Sequence, residues 1–434
     1  MLSNTSIEIV SETAKRPQNL IDVKNLFDQI LQKNQLFENH DQMHPTYMPE
    51  ILPRREKEIN DLANILVPVL KGEIPSNVFI YGKTGTGKTA VVKFVGKELL
   101  KKGEQTGKKV NFIYINCEIV DTQYRLLQNI ANRFMSEWND HVPFTGWPID
   151  EVYSKVKAMM DKEKSITVIV LDEIDKLKGD EALYNLTRIN SDLDKARVSV
   201  IGISNDLKFT DFLDSRVKSS LGEESMIFQP YDAEQLQDIL RARIKTALKP
   251  GVIEDDVIPL CAALSAQEHG DARRALDLLR VSAELAERSK ATKITRSHVR
   301  LAQGKIEKDR TAEVIHSLPG QQRLLLHAIR IIQRYNEHMG KQSAMTTGEI
   351  YNQYVDISKI VHYTPLPQQM VIDLISELDS LGIVAARVIS ERKYGKIKKI
   401  QITISSTELA RILQTDEFME EIGQVKMKNQ MKII

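Results

Sequence analysis

The chain is 434 residues long, 42% hydrophobic and 27% charged, the balance of an ordinary globular protein with room for about three domains. Its 60 basic and 59 acidic residues leave a net charge of +1, so a uniformly basic coat for nucleic acid is excluded and any such surface has to be local. No stretch approaches the ~20 apolar residues of a membrane span, the polar N-terminus lacks a signal-peptide core, and Cys117 and Cys261 stand in no C-x-x-C pair, which argues against membrane, zinc-site and disulfide-framework classes and fits a reducing cytoplasm.

Residues 1–45 are polar, carry no legible motif, and read as an arm with a short helix near 19–32. A proline-marked strap follows, Tyr47-Met48-Pro49-Glu50-Ile51-Leu52-Pro53-Arg54-Arg55-Glu56, and leads into a helix that spaces Ile59, Leu62, Ala63, Leu66 and Leu70 at helical intervals. The apolar run Val78-Phe79-Ile80-Tyr81 then enters Gly82-Lys83-Thr84-Gly85-Thr86-Gly87-Lys88-Thr89, and a helical pattern resumes at Ala90. This is the phosphate-loop spacing in the strand, loop and helix context that the chemistry needs. Glycines let successive N–H groups turn inward on phosphate oxygens, and the helix N-terminus adds its partial positive charge. Lys88 would reach the β and γ phosphates, and Thr89 would offer its hydroxyl to Mg²⁺.

After a buried strand at 110–116 the spacing predicts a helix over 122–138, a loop rich in proline and aromatics at 141–148, and a second helix over 149–162. Ile166-Thr167-Val168-Ile169-Val170-Leu171 is short and apolar enough for a buried parallel strand, and it ends in Asp172-Glu173-Ile174-Asp175. That is a Walker B sequence: Asp172 would hold Mg²⁺ through water, and Glu173 would polarise the water that attacks the γ phosphate. Another apolar strand at 198–204 delivers the amide of Asn205, either to the γ phosphate and lytic water or merely to a turn. Strands alternating with helices, with ligands gathered at strand carboxyl ends, predict a doubly wound α/β ATPase base over 46–228.

From Asp232 the pattern is wholly helical, with helices at 232–248, 255–269, 271–288 and 295–305 predicting a lid over 229–308. Residues 309–434 change again, to helices at 321–338, 347–361 and 366–381 and two strands, 384–389 and 397–404, around a Lys-rich turn. Three helices and a hairpin predict a C-terminal winged helix-turn-helix. Its third helix spaces Met370, Val371, Leu374, Ile375, Leu378 and Leu381 inward and leaves Gln368, Gln369 and Asp373 outside. Six residues from Arg387 to Lys399 are basic, among them Arg392, Lys393, Lys396 and Lys398, and one, Glu391, is acidic. Lysines at a hairpin edge also deter strand pairing, but charge this one-sided favours contact with phosphates.

Five phrases now stand together: Leu52-Pro53-Arg54-Arg55-Glu56, the loop from Tyr81 to Thr89, Leu171-Asp172-Glu173-Ile174-Asp175, the run from Phe212 through Asp214 and Arg216 to Leu221, and Gly270-Asp271-Ala272-Arg273-Arg274 with the five residues after it. In combination they resemble the archaeal replication initiators, relatives of the large subunit of the eukaryotic origin recognition complex and of the helicase loader. The likeness runs from about Tyr47 onward. It implies an AAA+ base and α-helical lid holding ATP or ADP with Mg²⁺ between them, Asn205 as sensor 1, Arg273 as sensor 2, and Arg216 as an arginine finger for a neighbouring protomer or paralogue. It further implies Pro53 to Arg55 beside the adenine, Tyr231 and Arg243 near the nucleotide, and, by position alone, a DNA-contacting element at 141–148. The implied function is a slow ATPase switch, cytoplasmic and nucleoid-associated, that binds double-stranded origin DNA and melts it or recruits the replicative helicase. Two other classes share parts of this pattern. A winged-helix signalling NTPase that regulates transcription would usually add sensor repeats, and a clamp-loader subunit would carry a helical collar in place of a basic wing.

Overall fold

The computed structural model describes residues 36–135, 141–206, 208–209, 213–340, 344–391, 395–418 and 422, with the backbone alone for 388–391 and 395–397. Two compact units make up the chain, Met1–Ala302 and Gln303–Ile434. The first is built on five parallel strands, β1 (Val78–Gly82), β2 (Val110–Asn116), β3 (Ile166–Asp172), β4 (Arg197–Ser204) and β5 (Glu224–Phe228), in the order β2-β3-β4-β1-β5. Every residue of β3 is buried, as its uninterrupted apolar run requires of a strand covered on both faces. One face is covered by α1 (Glu56–Lys71) and α2 (Lys88–Thr106), whose Leu62, Leu66, Val91 and Val92 pack on Ile80, Val168 and Ile201. The other face is covered by α3 (Gln123–Arg133), α4 (Ile149–Glu163), α5 (Glu181–Arg188) and α6 (Ser215–Leu221), through residues such as Leu126, Ile130, Val156 and Leu186 against Ile169 and Leu171. This is the doubly wound arrangement predicted, with the carboxyl ends of β1, β3 and β4 opening on one edge.

Helix α3 stops at Arg133, short of the predicted 138, because the Phe134 N–H already turns back to Ala131 O; residues 136–140 lie outside the described chain. The helix expected near 19–32 and Phe212 of the finger motif also lie outside it. The last part of the polar arm does not hang free: Leu36, Phe37 and Met43 are buried, and Phe37 bridges to Leu248.

Helices α7 (Ala233–Ala247), α8 (Val257–Gln267) and α9 (Ala272–Arg288) form the lid, and α10 (Arg296–Ser317) continues into the second unit's range. Asp232 starts α7 with a reciprocal capping box to Gln235. Helix α10 runs well past the predicted end at 305, since residues 305–310, charged except for Ile306, are adequate helix formers that display no apolar stripe to be read.

In the second unit α11 (Gly320–His338), α12 (Thr347–Ile360) and α13 (Gln368–Ser380) pack with a small antiparallel sheet, β6 (Met345–Thr346), β7 (Val384–Glu391) and β8 (Gly395–Ile402), in the order β6-β8-β7, followed by α14 (Ser406–Leu413). Strand β6 and helix α14 were not predicted. On α13, Val371, Ile375 and Leu378 are buried, but Met370 and Leu381 are half exposed, contrary to their predicted inward setting. At about 100° per residue both fall roughly a quarter turn to the side of the buried stripe. Ile400 and Ile402 point into the core as the strand alternation predicts.

Candidate functional site

The P-loop connects Gly82 at the end of β1 to Lys88 at the start of α2. Gly85 and Gly87 take φ of 74° and 88°, and a Cβ at Gly87 would come within 2.6 Å of the Tyr231 hydroxyl. Lys83 and Thr84 are exposed on the loop, while the Thr86 hydroxyl turns in to donate to Lys83 O at 2.8 Å. Lys88 is buried, and its Nζ donates to Gly82 O, Lys83 O and Asn205 Oδ1, each at 2.8 Å. Burial pushes its ammonium down to about 8. Loop glycines at positive φ, a buried cation and a helix start form a donor set suited to polyphosphate.

At the end of β3, Asp172 is the meeting point. Its Oδ2 accepts the Thr89 hydroxyl at 2.8 Å and the Tyr114 hydroxyl at 2.6 Å, and its Oδ1 accepts the Glu173 N–H at 3.0 Å. Glu173 itself sits at φ 54°, in the left-handed region that is costly for a side-chain-bearing residue. Its carboxyl is held above the usual range, first by burial and then by the charges of Glu118, Asp172 and Asp175. Asp175 Oδ1 accepts the Ser204 hydroxyl at 2.8 Å and the Asn205 N–H at 3.3 Å, so the Walker B turn holds the end of β4 in place. The donor set fits Mg²⁺: one hydroxyl and one carboxylate at the loop, with room for the waters that this cation keeps.

The lid closes on this edge through α9. Ala272 N donates to Gly85 O at 3.1 Å, and Asp271, whose Oδ1 accepts the N–H groups of Arg273 and Arg274 at 2.8 and 3.2 Å, lies against Gly85, where a Cβ would overlap its carboxylate. Arg273 is exposed, and its charge acts on Lys88 and Tyr114. Arg55 is only 4% exposed: its Nε donates to Thr86 O at 3.0 Å and to the Tyr231 hydroxyl at 2.9 Å, its Nη2 to Gln229 O at 2.7 Å, and its Nη1 pairs with Glu58 at 2.6 Å. Its guanidinium also lies 3.9 Å over the Tyr231 ring. Arg55 is thus occupied as a clamp between P-loop and hinge, and neighbouring Arg54, at φ 64°, pairs with Glu234 and Asp238 on α7. Pro53 is half-buried just before them. Arg243 is buried and donates to the carbonyls of Gln42, His44 and Tyr47, fixing the strap to the lid; burial lowers its pKa.

Arg216 stands apart. Its guanidinium is paired with Asp214, with Nη2 2.9 Å from Oδ2, and lies 4.9 Å over the Tyr184 ring beside a cavity of about 490 Å³ lined partly by Asp150 and Asp180. Among the described residues no contact joins it to its own P-loop. In the 141–148 loop, Phe144 is 72% exposed and Trp147 packs on the core. Both cysteines are buried and unpaired.

In the second unit Gln368 and Gln369 are exposed at the first turn of α13. Arg387 is exposed on β7 and registers directly opposite Lys399 on β8. Lys398 falls on the same strand face as Ile400 and Ile402, and its Nζ reaches Ser376 Oγ on α13 at 3.0 Å, so it is tied to the helix instead of projecting from the wing. Arg392 and Lys393 lie outside the described residues, as does the side chain of Lys396. No helix among the described residues is long and apolar enough to cross a membrane.

Comparison with known proteins matches residues 75–208 to an AAA domain, 237–304 to the Cdc6 AAA+ ATPase-type lid domain, and 313–411 to the CDC6 C-terminal winged helix domain. An ORC1-type DNA replication protein of Pyrococcus horikoshii is 50% identical over 412 residues, covering 94% of this chain and 97% of that one. ORC1-type DNA replication protein 1 of Methanosarcina mazei is 53% identical over 393 residues, covering 90% and 93%. Among solved structures, the Aeropyrum pernix ORC1 protein in complex with DNA is similar at 41% identity with a TM-score of 0.75, over 90% of this chain and all of that one. Relatives of this kind favour the replication reading over a transcription regulator.

Proposed function

The chain belongs to the ORC1-type DNA replication protein family, and from that premise we propose that it is an ATP-dependent initiator that binds origin DNA and switches with its nucleotide. The observation that carries the switch is the lid helix seated on the P-loop, Ala272 N to Gly85 O at 3.1 Å, which makes the lid's position depend on what the loop holds. Lys88 and the loop N–H groups bind the β and γ phosphates of ATP, Arg273 reaches them from the lid, and Arg55 and Tyr231 carry the loop's position to the hinge. Thr89 and Asp172 would hold Mg²⁺, which when bound neutralises charge on the phosphoryl oxygens. Glu173 accepts the proton of the attacking water, and Asn205 orients that water. Arg216, turned away from its own loop, serves the nucleotide of a second copy or a paralogue, so turnover by the isolated chain is slow.

On DNA, Gln368 and Gln369 face base edges in the major groove, while Arg387 with the tip residues Arg392, Lys393 and Lys396 meets phosphates. We extend the proposal to recruitment of the replicative helicase, an expectation that the initiator resemblance supports. Footprinting on genomic DNA with ATP and with ADP tests the proposal: protection of an origin-proximal repeat that changes with nucleotide is expected, and scattered promoter sites insensitive to nucleotide would overturn it.

A further inference from the structure

We propose that Tyr114 is a positioning residue for the magnesium site, holding the Asp172 carboxylate in the one orientation that leaves an oxygen free for a water of the cation. The inference rests on Asp172 serving Mg²⁺ as proposed above. Tyr114 lies on β2, one strand away from Asp172, and parallel pairing sets it beside Val170 while Asn116 sits beside Asp172. Its hydroxyl donates to Asp172 Oδ2 at 2.6 Å, the shorter of the two bonds that oxygen accepts; Thr89 Oγ1 makes the other at 2.8 Å. Each carboxylate oxygen has two acceptor directions. The described contacts fill both on Oδ2 and one on Oδ1, where the Glu173 N–H sits at 3.0 Å. What remains is a single direction on Oδ1.

Two further features make this a built arrangement. Asp172 is 6% exposed, so few waters compete to reorient its carboxylate. On the other side, Lys93, one turn beyond Thr89 on α2, places its Nζ 3.8 Å over the Tyr114 ring. A cation on that face draws density from the ring and strengthens the hydroxyl as a donor. Because Thr89 uses its proton on Asp172, its lone pairs stay available to the metal only while Asp172 holds still. Tyr114, anchored in a sheet and not in the P-loop, supplies that fixity, as partners of metal-binding carboxylates do elsewhere.

The test is a Mg²⁺ titration of fluorescent ATP-analogue binding with wild type, Tyr114→Phe and Asp172→Asn. Removing the hydroxyl is expected to raise the half-saturating Mg²⁺ concentration about tenfold or more, the usual size for loss of such a partner. Nucleotide affinity in EDTA should stay unchanged, while the melting midpoint without nucleotide falls, because a buried carboxylate loses one of its donors. An unaltered Mg²⁺ requirement in Tyr114→Phe would overturn the proposal, and so would an equal loss of affinity in EDTA, which marks a purely structural role. Asp172→Asn separates the two levels: if that variant also leaves the Mg²⁺ requirement unchanged, the assignment of Asp172 itself has failed.

Discussion

Lys88 Nζ donates to Asn205 Oδ1 across 2.8 Å, so the loop cation and the amide at the end of β4 form one unit. Burial lowers the pKa of that ammonium to about 8, while a bound polyphosphate favours the charged form and raises it. Nucleotide binding is therefore accompanied by proton uptake at pH near and above this value, and affinity should be flat well below it and fall as pH rises through it. Calorimetry in two buffers of different ionisation enthalpy reads the uptake; identical heats would exclude it. Lys88→Ala is expected to abolish nucleotide retention, which equilibrium dialysis checks.

Glu173→Gln should leave ATP bound and stop turnover. The amide keeps the shape at this strained backbone position but cannot take a proton, and loss of a general base costs on the order of 10²–10⁴-fold. Single-turnover hydrolysis by the variant at the wild-type rate would refute the assignment.

Arg55→Ala is expected to loosen hinge and loop together. It removes a buried cation that serves Thr86, Gln229, Tyr231 and Glu58, and leaves their acceptors without it. A loss of about 3 kcal/mol or more is anticipated for breaking such a buried pair. Denaturant unfolding checks the stability, and the ratio of ATP to ADP affinity checks the coupling. Arg55→Lys should recover little, because one ammonium cannot fork to four partners.

What could be read in the residue order follows from whether the chemistry was local. Gly82 to Thr89 and Asp172 with Glu173 are contiguous phrases whose neighbours fix their role, and the structure brings them to one sheet edge. The clamp made by Arg55 is not legible in its sequence neighbours, because Thr86 and Tyr231 lie 31 and 176 residues away. In sequence Tyr114 is one more aromatic of the strand at 110–116. The signal was present in the pairing: Asn116 registers with Asp172, so a residue two earlier on β2 shares the same face. Asp271 went unread because its contact with Gly85 exists only once the lid has folded onto the base. Short β6 escaped because two residues have no period.

The wing supplies the last prediction. Arg387 is exposed and sits opposite Lys399, so β7 and β8 bring two cations to one strand face, with Arg392, Lys393 and Lys396 between them in sequence. Arg392→Ala with Lys393→Ala should weaken DNA binding nearly uniformly across sequences, because such cations meet phosphates rather than base edges. If two phosphate contacts are lost, the slope of log affinity against log salt should fall in magnitude by about 1.8, at roughly 0.9 per contact. Gln368→Ala or Gln369→Ala should instead change the preference among sequences, since glutamine can pair with an adenine edge. Lys398→Ala should do less than either, because its ammonium is held by Ser376. ATP binding should survive in all of them, as the P-loop belongs to the other unit. Titrating each variant on origin and random DNA at several salt concentrations decides the matter: an unchanged affinity and slope for the Arg392 and Lys393 variant on both DNAs would leave the charge only the task of keeping a hairpin edge from pairing.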